Sequence, residues 1–445
     1  MTECCHSNAG FLFSAFVWRP LIERHGDKMP TKFGEYVNVK INSIAFRIVV
    51  IIVLLFMTFP ILTDAARPPP SPAIRQDITE CTTITSPGYY VLASNIVSNK
   101  SDACINITSS NVILDGNGYT ITYDKPSYQS YYFIEHAVLA HNPNTTLKNI
   151  TVKNLKAVKW YTGVHFKNVS DSTIRDSEFS NNIGDIGILD SKNISIILNN
   201  GDGSIALDSS SFCNVVMNFA GGISIFGGHN NTVFDNVGYS MSLYNTRDNL
   251  IAGNIFANSP HYGISLEYSS NNTIINNNVS YADRAGIYLY DASHNTISNN
   301  RANNSDGDGM YLIYSDGNTI THNFMSHNNG SGIYVRGSSF NIISNNVMIV
   351  NLNGTYVYWY STNNSISNNI ITLNQNLGIY LFWESNNNTV FNNEINLNEF
   401  GVRVYYSSNN RVVFNDANNN RDSGIYLRYK SERNTIAHNR ANQNN

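Results

Sequence analysis

Gly286-Ile287-Tyr288-Leu289 returns as Gly309-Met310-Tyr311-Leu312, Gly332-Ile333-Tyr334-Val335, Gly354-Thr355-Tyr356-Val357, Gly378-Ile379-Tyr380-Leu381, Gly401-Val402-Arg403-Val404 and Gly424-Ile425-Tyr426-Leu427, and Gly263-Ile264-Ser265-Leu266 precedes it. Successive glycines stand 23, 23, 23, 22, 24, 23 and 23 residues apart. A second element keeps phase with the first. Asn272-Thr273-Ile274, Asn295-Thr296-Ile297, Asn318-Thr319-Ile320, Asn341-Ile342-Ile343, Asn364-Ser365-Ile366, Asn388-Thr389-Val390 and Asn434-Thr435-Ile436 each begin nine or ten residues after a glycine. Five residues further on stands another asparagine: Asn277, Asn300, Asn323, Asn346, Asn369, Asn393, Asn415 and Asn439. Two registers held in phase over this distance mark a repeat architecture.

The alternation inside Gly-Ile-Tyr-Leu is that of a strand with Ile and Leu turned inward and Tyr outward. A strand so short cannot bury its apolar face alone. Stacking each coil on the previous one pairs its backbone on both sides and makes one continuous core. The expected fold is therefore all-β, a single-stranded right-handed parallel β-helix with about 13 coils and a rod on the order of 60 Å, at about 4.8 Å per coil. The recurring asparagines are expected at bends, where the amide bonds backbone and the asparagines above and below. The recurring glycines are expected to supply a bend with an unusual backbone angle. Leucine-rich repeats share the period but need room for a helical half, which this sequence lacks. Earlier rungs are traceable at Asn106-Ile107-Thr108, Val138-Leu139-Ala140, Gly163-Val164-His165-Phe166, Gly187-Ile188-Leu189, Ser204-Ile205-Ala206-Leu207, Gly222-Ile223-Ser224-Ile225 and Ser240-Met241-Ser242-Leu243, with uneven spacing.

Composition agrees. Charged residues are 13% of the 445 and the formal net charge is −4. No basic stripe is visible, so nucleic acid is not an expected partner. The 11 prolines all fall at or before Pro260, and the proline-free remainder suits sheet interiors. Ile48 to Phe59 is almost wholly apolar, follows Lys32, Lys40 and Arg47, and precedes Thr63-Asp64-Ala65, the three-part layout of a secretory signal. Residues 29–66 are read as a signal peptide or membrane anchor, residues 1–28 as a start-site artefact, and residues 67–76 as a Pro-rich linker. Residues 77–126 then form an N-terminal cap and first coil, and residues 127–445 the parallel β-helix. Contact with membrane is expected only through residues 41–62, if they stay uncleaved. The chain beyond is placed in a secreted, periplasmic or cell-surface compartment. In such a compartment Cys81 and Cys104 are read as a disulfide. Sequons such as Asn106, Asn144, Asn168, Asn271, Asn303, Asn329, Asn353 and Asn387 offer glycan acceptors there. The chain stops at Asn445 in mid-coil, which reads as a fragment or as an open edge for end-to-end stacking.

Cys81-Thr82-Thr83-Ile84, Pro87-Gly88-Tyr89-Tyr90-Val91-Leu92, Cys104-Ile105-Asn106-Ile107 and Val112-Ile113-Leu114-Asp115-Gly116-Asn117-Gly118 resemble the cap and first coil of NosD-like β-helix proteins, within the pectate-lyase-like superfold. The resemblance covers about residues 77–445. It implies periplasmic copper binding, or a carbohydrate-binding or sugar-hydrolase-type role, and many members sit on archaeal cell surfaces. This superfold hosts lyases, hydrolases, adhesins and structural proteins, so the resemblance speaks to fold more than to function.

The outward positions carry the functional reading. Tyr288, Tyr311, Tyr334, Tyr356, Tyr380 and Tyr426 stand two residues after their glycines, and Tyr290, Arg336, Tyr358 and Tyr405 two residues further on, followed in two coils by Trp359 and Trp383. Stacked rungs would display an aromatic wall on which sugar rings lie flat, so a glycan or a surface-layer protein is the expected partner. A purely structural aromatic ladder is the competing reading. Asp283 and Asp306 share a repeat position, with Asp308 beside the second. Carboxylates that close suit glycoside hydrolysis or Ca²⁺, but Asp-Gly-Asp-Gly is also ordinary turn chemistry. His322, Met325 and His327 are the nearest approach to a copper donor set, yet no two histidines of the repeat align between neighbouring coils, so no metal and no cofactor is expected. Three functions remain: a glycan-binding scaffold without catalysis, a polysaccharide hydrolase or lyase, and a copper-binding accessory protein. A cleft with converging carboxylates would favour the second, and a His/Met cluster the third.

Overall fold

The computed structural model describes residues 75–124 and 135–444, and every regular element among them is a β-strand. The strand pairs among the described residues are parallel, and a typical inner strand pairs with its counterparts one coil earlier and one coil later. One coil shows the plan: Ile264–Glu267, Thr273–Ile275 and Asn278–Ser280, after which Ile287–Tyr290 lies directly on Ile264–Glu267. Inward residues such as Ile264, Leu266, Ile274 and Val279 are fully buried, and each stacks on its like in the next coil. Full burial of such a side chain contributes roughly 1.5–3 kcal/mol, so each coil adds its own share of one long core.

The solenoid has about 15 coils, rather than 13. Some coils are short: Asn199, Asn218, Asn236 and Asn254 follow one another at 19, 18 and 18 residues. In these coils a single eight-residue strand, Phe219–Phe226 or Val237–Tyr244, replaces the two strands and the intervening corner of a longer coil. The segment that makes up 23 residues elsewhere is absent, which accounts for the uneven spacing of the rungs at Ser204, Gly222 and Ser240. The cap is built from Arg75–Ile78, which pairs with Gly88–Leu92, and Thr82–Ile84, which pairs with Ala103–Ile107. Strand thus begins within the segment read as linker. Cys81 and Cys104 are disulfide-bonded across this pair of layers. The signal or anchor segment lies outside the described residues. Among the described residues no helix is long and apolar enough to cross a membrane.

The corners explain the asparagines. A long coil turns at four left-handed residues, for example Tyr268, Asn271, Asn276 and Tyr281 at φ 52°, 56°, 57° and 55°. The residue after each of them, Ser269, Asn272, Asn277 and Ala282, is buried. Asn277 donates its backbone N–H and its Nδ2 to Oδ1 of Asn300 at 2.9 and 3.0 Å, and its Nδ2 also to the Ile251 carbonyl at 2.9 Å. The same bonds recur up the rod, so the buried amides are satisfied by the coils on either side, Nδ2 of Asn410 excepted. A further ladder, Asn328, Asn351, Asn374, Asn398, Asn420 and Asn444, runs along the fourth corner and was not read from the sequence.

The recurring glycines do not supply the unusual angle. The glycines with positive φ are Gly118, Gly227, Gly253, Gly317 and Gly337, none of them in the Gly-Ile-Tyr-Leu series. Close approach fixes the series instead. A Cβ on Gly309 would stand 2.7 Å from the Gly332 carbonyl oxygen and 2.7 Å from Cγ of Met325. Successive coils press backbone against backbone at this column, and only hydrogen fits.

Candidate functional site

Because coils stack in register, outward residues form columns along the rod. The central column is Tyr288, Tyr311, Tyr334, Tyr356 and Tyr380, continued by Arg403 and Tyr426. From Tyr311 onward its rings lie on one another, Tyr311 on Tyr334 at 4.8 Å and 8°, Tyr334 on Tyr356 at 5.0 Å and 24°, Tyr356 on Tyr380 at 5.0 Å and 23°, whereas Tyr288 meets Tyr311 edge to face at 5.8 Å and 61°. Tyr262, one coil earlier, stacks on Tyr288 at 4.0 Å and 6°. The interstrand spacing of about 4.8 Å is itself a stacking distance, so aromatic rings at one register position pair face to face. The consequence corrects the picture of a wall on which sugars lie flat. In this column the ring faces are taken by neighbouring rings, and Tyr288 and Tyr380 are only 9% and 8% exposed. Edges and hydroxyls face outward. Burial pushes the phenols of Tyr288, Tyr334 and Tyr356 well up, and keeps them neutral hydrogen-bonding groups.

More exposed rings occur further out. The next column holds Tyr290, Ile313, Arg336, Tyr358, Phe382, Tyr405 and Arg428. Beyond it the chain enters the left-handed corner, and there stand Tyr268, Tyr314, Trp359, Tyr360, Trp383, Tyr406 and Tyr429. Tyr360 is 56% exposed, Trp383 47% and Tyr429 49%, while Trp359 is half-buried. Sequence reasoning found the two tryptophans and missed the tyrosine rim. The signal was available, since Tyr268, Tyr314, Tyr406 and Tyr429 each follow their glycine by five residues.

The central column is aromatic only in the later coils, whereas the next column already carries Phe226 and Tyr244, stacked at 5.0 Å and 2°. In earlier coils the central column reads His165, Gly187, Ala206, Ser224, Ser242 and Ser265. The boundary falls between Ser265 and Tyr288.

The carboxylates divide. Asp283 and Asp306 are exposed at equivalent points of adjacent corners, and Asp306 accepts a 3.4 Å bond from Asn329. Asp308 is half-buried on the other flank of the tyrosine column and accepts the Ser331 N–H at 2.6 Å. Its removal from water raises its pKa to about 6, against the opposing pull of that hydrogen bond. The three carboxylates therefore do not form one cluster. The histidine and methionine donors do not converge either. Met325 is fully buried in the core, whereas His322 and His327 are exposed at left-handed corners on either side of it. Among the described residues no group of three His, Cys, Asp or Glu side chains could hold a metal ion, so the copper implied by the resemblance finds no fitting donor set there.

The family model of the right handed beta helix region matches residues 134–281, 221–371, 262–416 and 351–445, which together exceed half of the chain. Similar solved structures include a periplasmic alginate epimerase, AlgG, at 14% identity and TM-score 0.37, covering 80% of this chain and 79% of that one. The A-module of a mannuronan C-5 epimerase from Azotobacter vinelandii gives 13% identity and TM-score 0.33, with 80% and 91% covered. Tailspike protein 3 of bacteriophage CBA120 gives 11% identity and TM-score 0.39, with 82% and 55% covered. No curated protein matches the chain.

Proposed function

The chain belongs to the right-handed β-helix family, and on that premise we propose that it is an exported glycan-binding scaffold whose binding face is the aromatic side of its later coils. The carrying observation is the exposed aromatic rim, with Tyr360 and Trp383 on successive coils beside a column of tyrosine hydroxyls. Exposed aromatic surface on this scale is unusual on a soluble rod and marks a partner. Exposed indole and phenol rings suit the apolar face of a pyranose, and the hydroxyl edges of the tyrosine column supply hydrogen bonds. Repetition suits a polymer: a chain laid along the rod meets the same groups once per coil, which multiplies weak contacts. The apolar segment within residues 29–66 supports export.

A polysaccharide hydrolase or lyase is the second reading, and one observation favours it. Asp308, with its pKa near 6, sits beside Tyr311 and Tyr334 on the same face. A carboxyl poised there is suited to proton transfer. One experiment separates the two. The chain is screened against immobilised polysaccharides while release of new reducing ends or unsaturated ends is followed in the same wells. Binding without release, weakened by Trp383→Ala and Tyr360→Ala, supports the scaffold. Release that disappears in Asp308→Asn replaces the scaffold with an enzyme.

A further inference from the structure

Two arginines of this face are built unlike the other charged side chains. The guanidinium of Arg403 stands 5.3 to 5.7 Å from the centres of four rings, Tyr380, Phe400, Tyr405 and Tyr426. That of Arg336 lies 5.5 Å from the Trp359 ring, and a hydrogen bond with Tyr311 raises its pKa further. Both are half-buried, and in both Nε is buried without a hydrogen-bond partner. Among the described residues they are the only lysines or arginines with such an atom. Neither has a carboxylate within ion-pair distance, although six other pairs occur along the rod. Glu384 and Glu399 stand on neighbouring turns and pair with no arginine. Glu267 and Asp308, the acids nearest the tyrosine column, are both shifted toward the neutral form by burial. A cation pressed among ring faces, partly out of water and without its own counter-ion, is costly unless a ligand anion completes it.

We propose that the face recognises an acidic glycan, and that Arg336 and Arg403 each receive an anionic group of the polymer, a uronate carboxylate or a sulfate ester. This rests on the reading of the face as a glycan-binding surface and adds the charge of what it binds. The placement suits a polymer. Arg336 and Arg403 are three coils apart, about 14 Å along the rod at the ordinary strand spacing. The two intervening coils carry the exposed Tyr360 and Trp383. Over this length successive coils offer cation, ring, ring and cation, with Arg336 in the outer column, the two rings at the corner beyond it and Arg403 in the central column. The rings hold each guanidinium plane, so the outward Nη pair can meet a carboxylate or sulfate as a preset fork.

The test measures binding of the full chain to a polyuronate, a sulfated galactan and a neutral glucan, between about 0.05 M and 0.5 M NaCl, a range over which screening lengths fall several-fold. An acidic polymer should bind at least about tenfold more tightly than the neutral one, with affinity falling as salt rises, and Arg403→Gln and Arg336→Gln should each weaken it by about tenfold. Arg403→Lys should keep the salt dependence and lose part of the affinity. Preference for one acidic polymer identifies the anion. Neutral glucan bound as tightly, without salt dependence and unchanged in both Gln variants, overturns the proposal and leaves the glycan-binding face standing. No binding to any polymer overturns both. Should Arg403→Gln fail to fold, Arg336→Gln and the salt dependence of the unaltered chain still decide.

Discussion

Asn345 and Asn346 are neighbours in sequence with opposite duties, and replacing each in turn tests how the rod is held together. Asn346 is fully buried. Its Oδ1 accepts the N–H and Nδ2 of Asn323 at 2.9 and 3.0 Å, and its Nδ2 donates to the Ile320 carbonyl at 2.9 Å and to Oδ1 of Asn369 at 3.1 Å. Asn346→Ala deletes these four bonds and strands the Asn323 N–H in a dry corner. At about 1 kcal/mol per net hydrogen bond, and more where a buried donor is orphaned, the loss is about 4–6 kcal/mol. Asn345 is exposed at φ 56°. Asn345→Gly keeps that conformation accessible and should change stability by no more than about 0.5 kcal/mol. A solenoid can open locally, so a single global midpoint is not the right readout. Native-state hydrogen exchange resolves it. Asn346→Ala should speed exchange in Thr319–Thr321, Ile342–Ser344 and Ser365–Ser367, the three coils sharing the lost bonds. A loss under about 1 kcal/mol, equal to that of Asn345→Gly, would refute the ladder as a source of stability.

Further outcomes follow from the same geometry. Val350 is a β-branched residue at φ 58°, in a corner where other coils place Asn304 and Asn419, so Val350→Asn should stabilise by about 1 kcal/mol, read from urea unfolding of the two proteins. Gly309→Ala places a methyl against the Gly332 carbonyl and Met325, and should cost about 1–3 kcal/mol or more in the same assay. Asp185 is buried, accepts bonds from Gly203 N–H at 2.8 Å and Asn182 Nδ2 at 3.1 Å, and burial raises its pKa to about 7. Its folded pKa lies above the unfolded one, so its contribution is fully present below about pH 4 and is lost as pH rises through about 7. The thermal midpoint should therefore fall across that window, and Asp185→Asn should flatten the fall. An equal slope in both proteins would show that another group is responsible.

The repeat was legible because two kinds of residue, apolar and corner asparagine, keep one period. Ile264, Ile287 and Met310 point inward, and Asn277, Asn300 and Asn323 form a ladder, as alternation and spacing imply. The fourth-corner ladder from Asn328 escaped, though the same five-residue step taken once more from Asn323 leads to it. The function of the glycines was misread because close packing and a positive φ both select glycine, and only the position of the neighbouring coil separates them. The short coils, where Asn218, Asn236 and Asn254 follow at 18 residues, were traced as rungs at Ser204, Gly222 and Ser240, and only the total was set too low. At the candidate site the outward tyrosines were identified by register. That their faces are spent on each other follows from the match between strand spacing and ring stacking. The cage around Arg403 draws rings from three successive coils and was invisible to any one of them.

The most direct test of the binding face is hydrogen exchange of the chain with and without the polysaccharide that it retains on the array. Protection confined to Met310–Ile313, Ser331–Arg336, Asn353–Tyr358, Leu377–Phe382 and Phe400–Tyr405, with the turns that follow them, is the predicted footprint. Protection centred on Thr319–Thr321, Ile342–Ser344 and Ser365–Ser367, or on the coils before Ser265, would contradict it and move the site to another side of the rod.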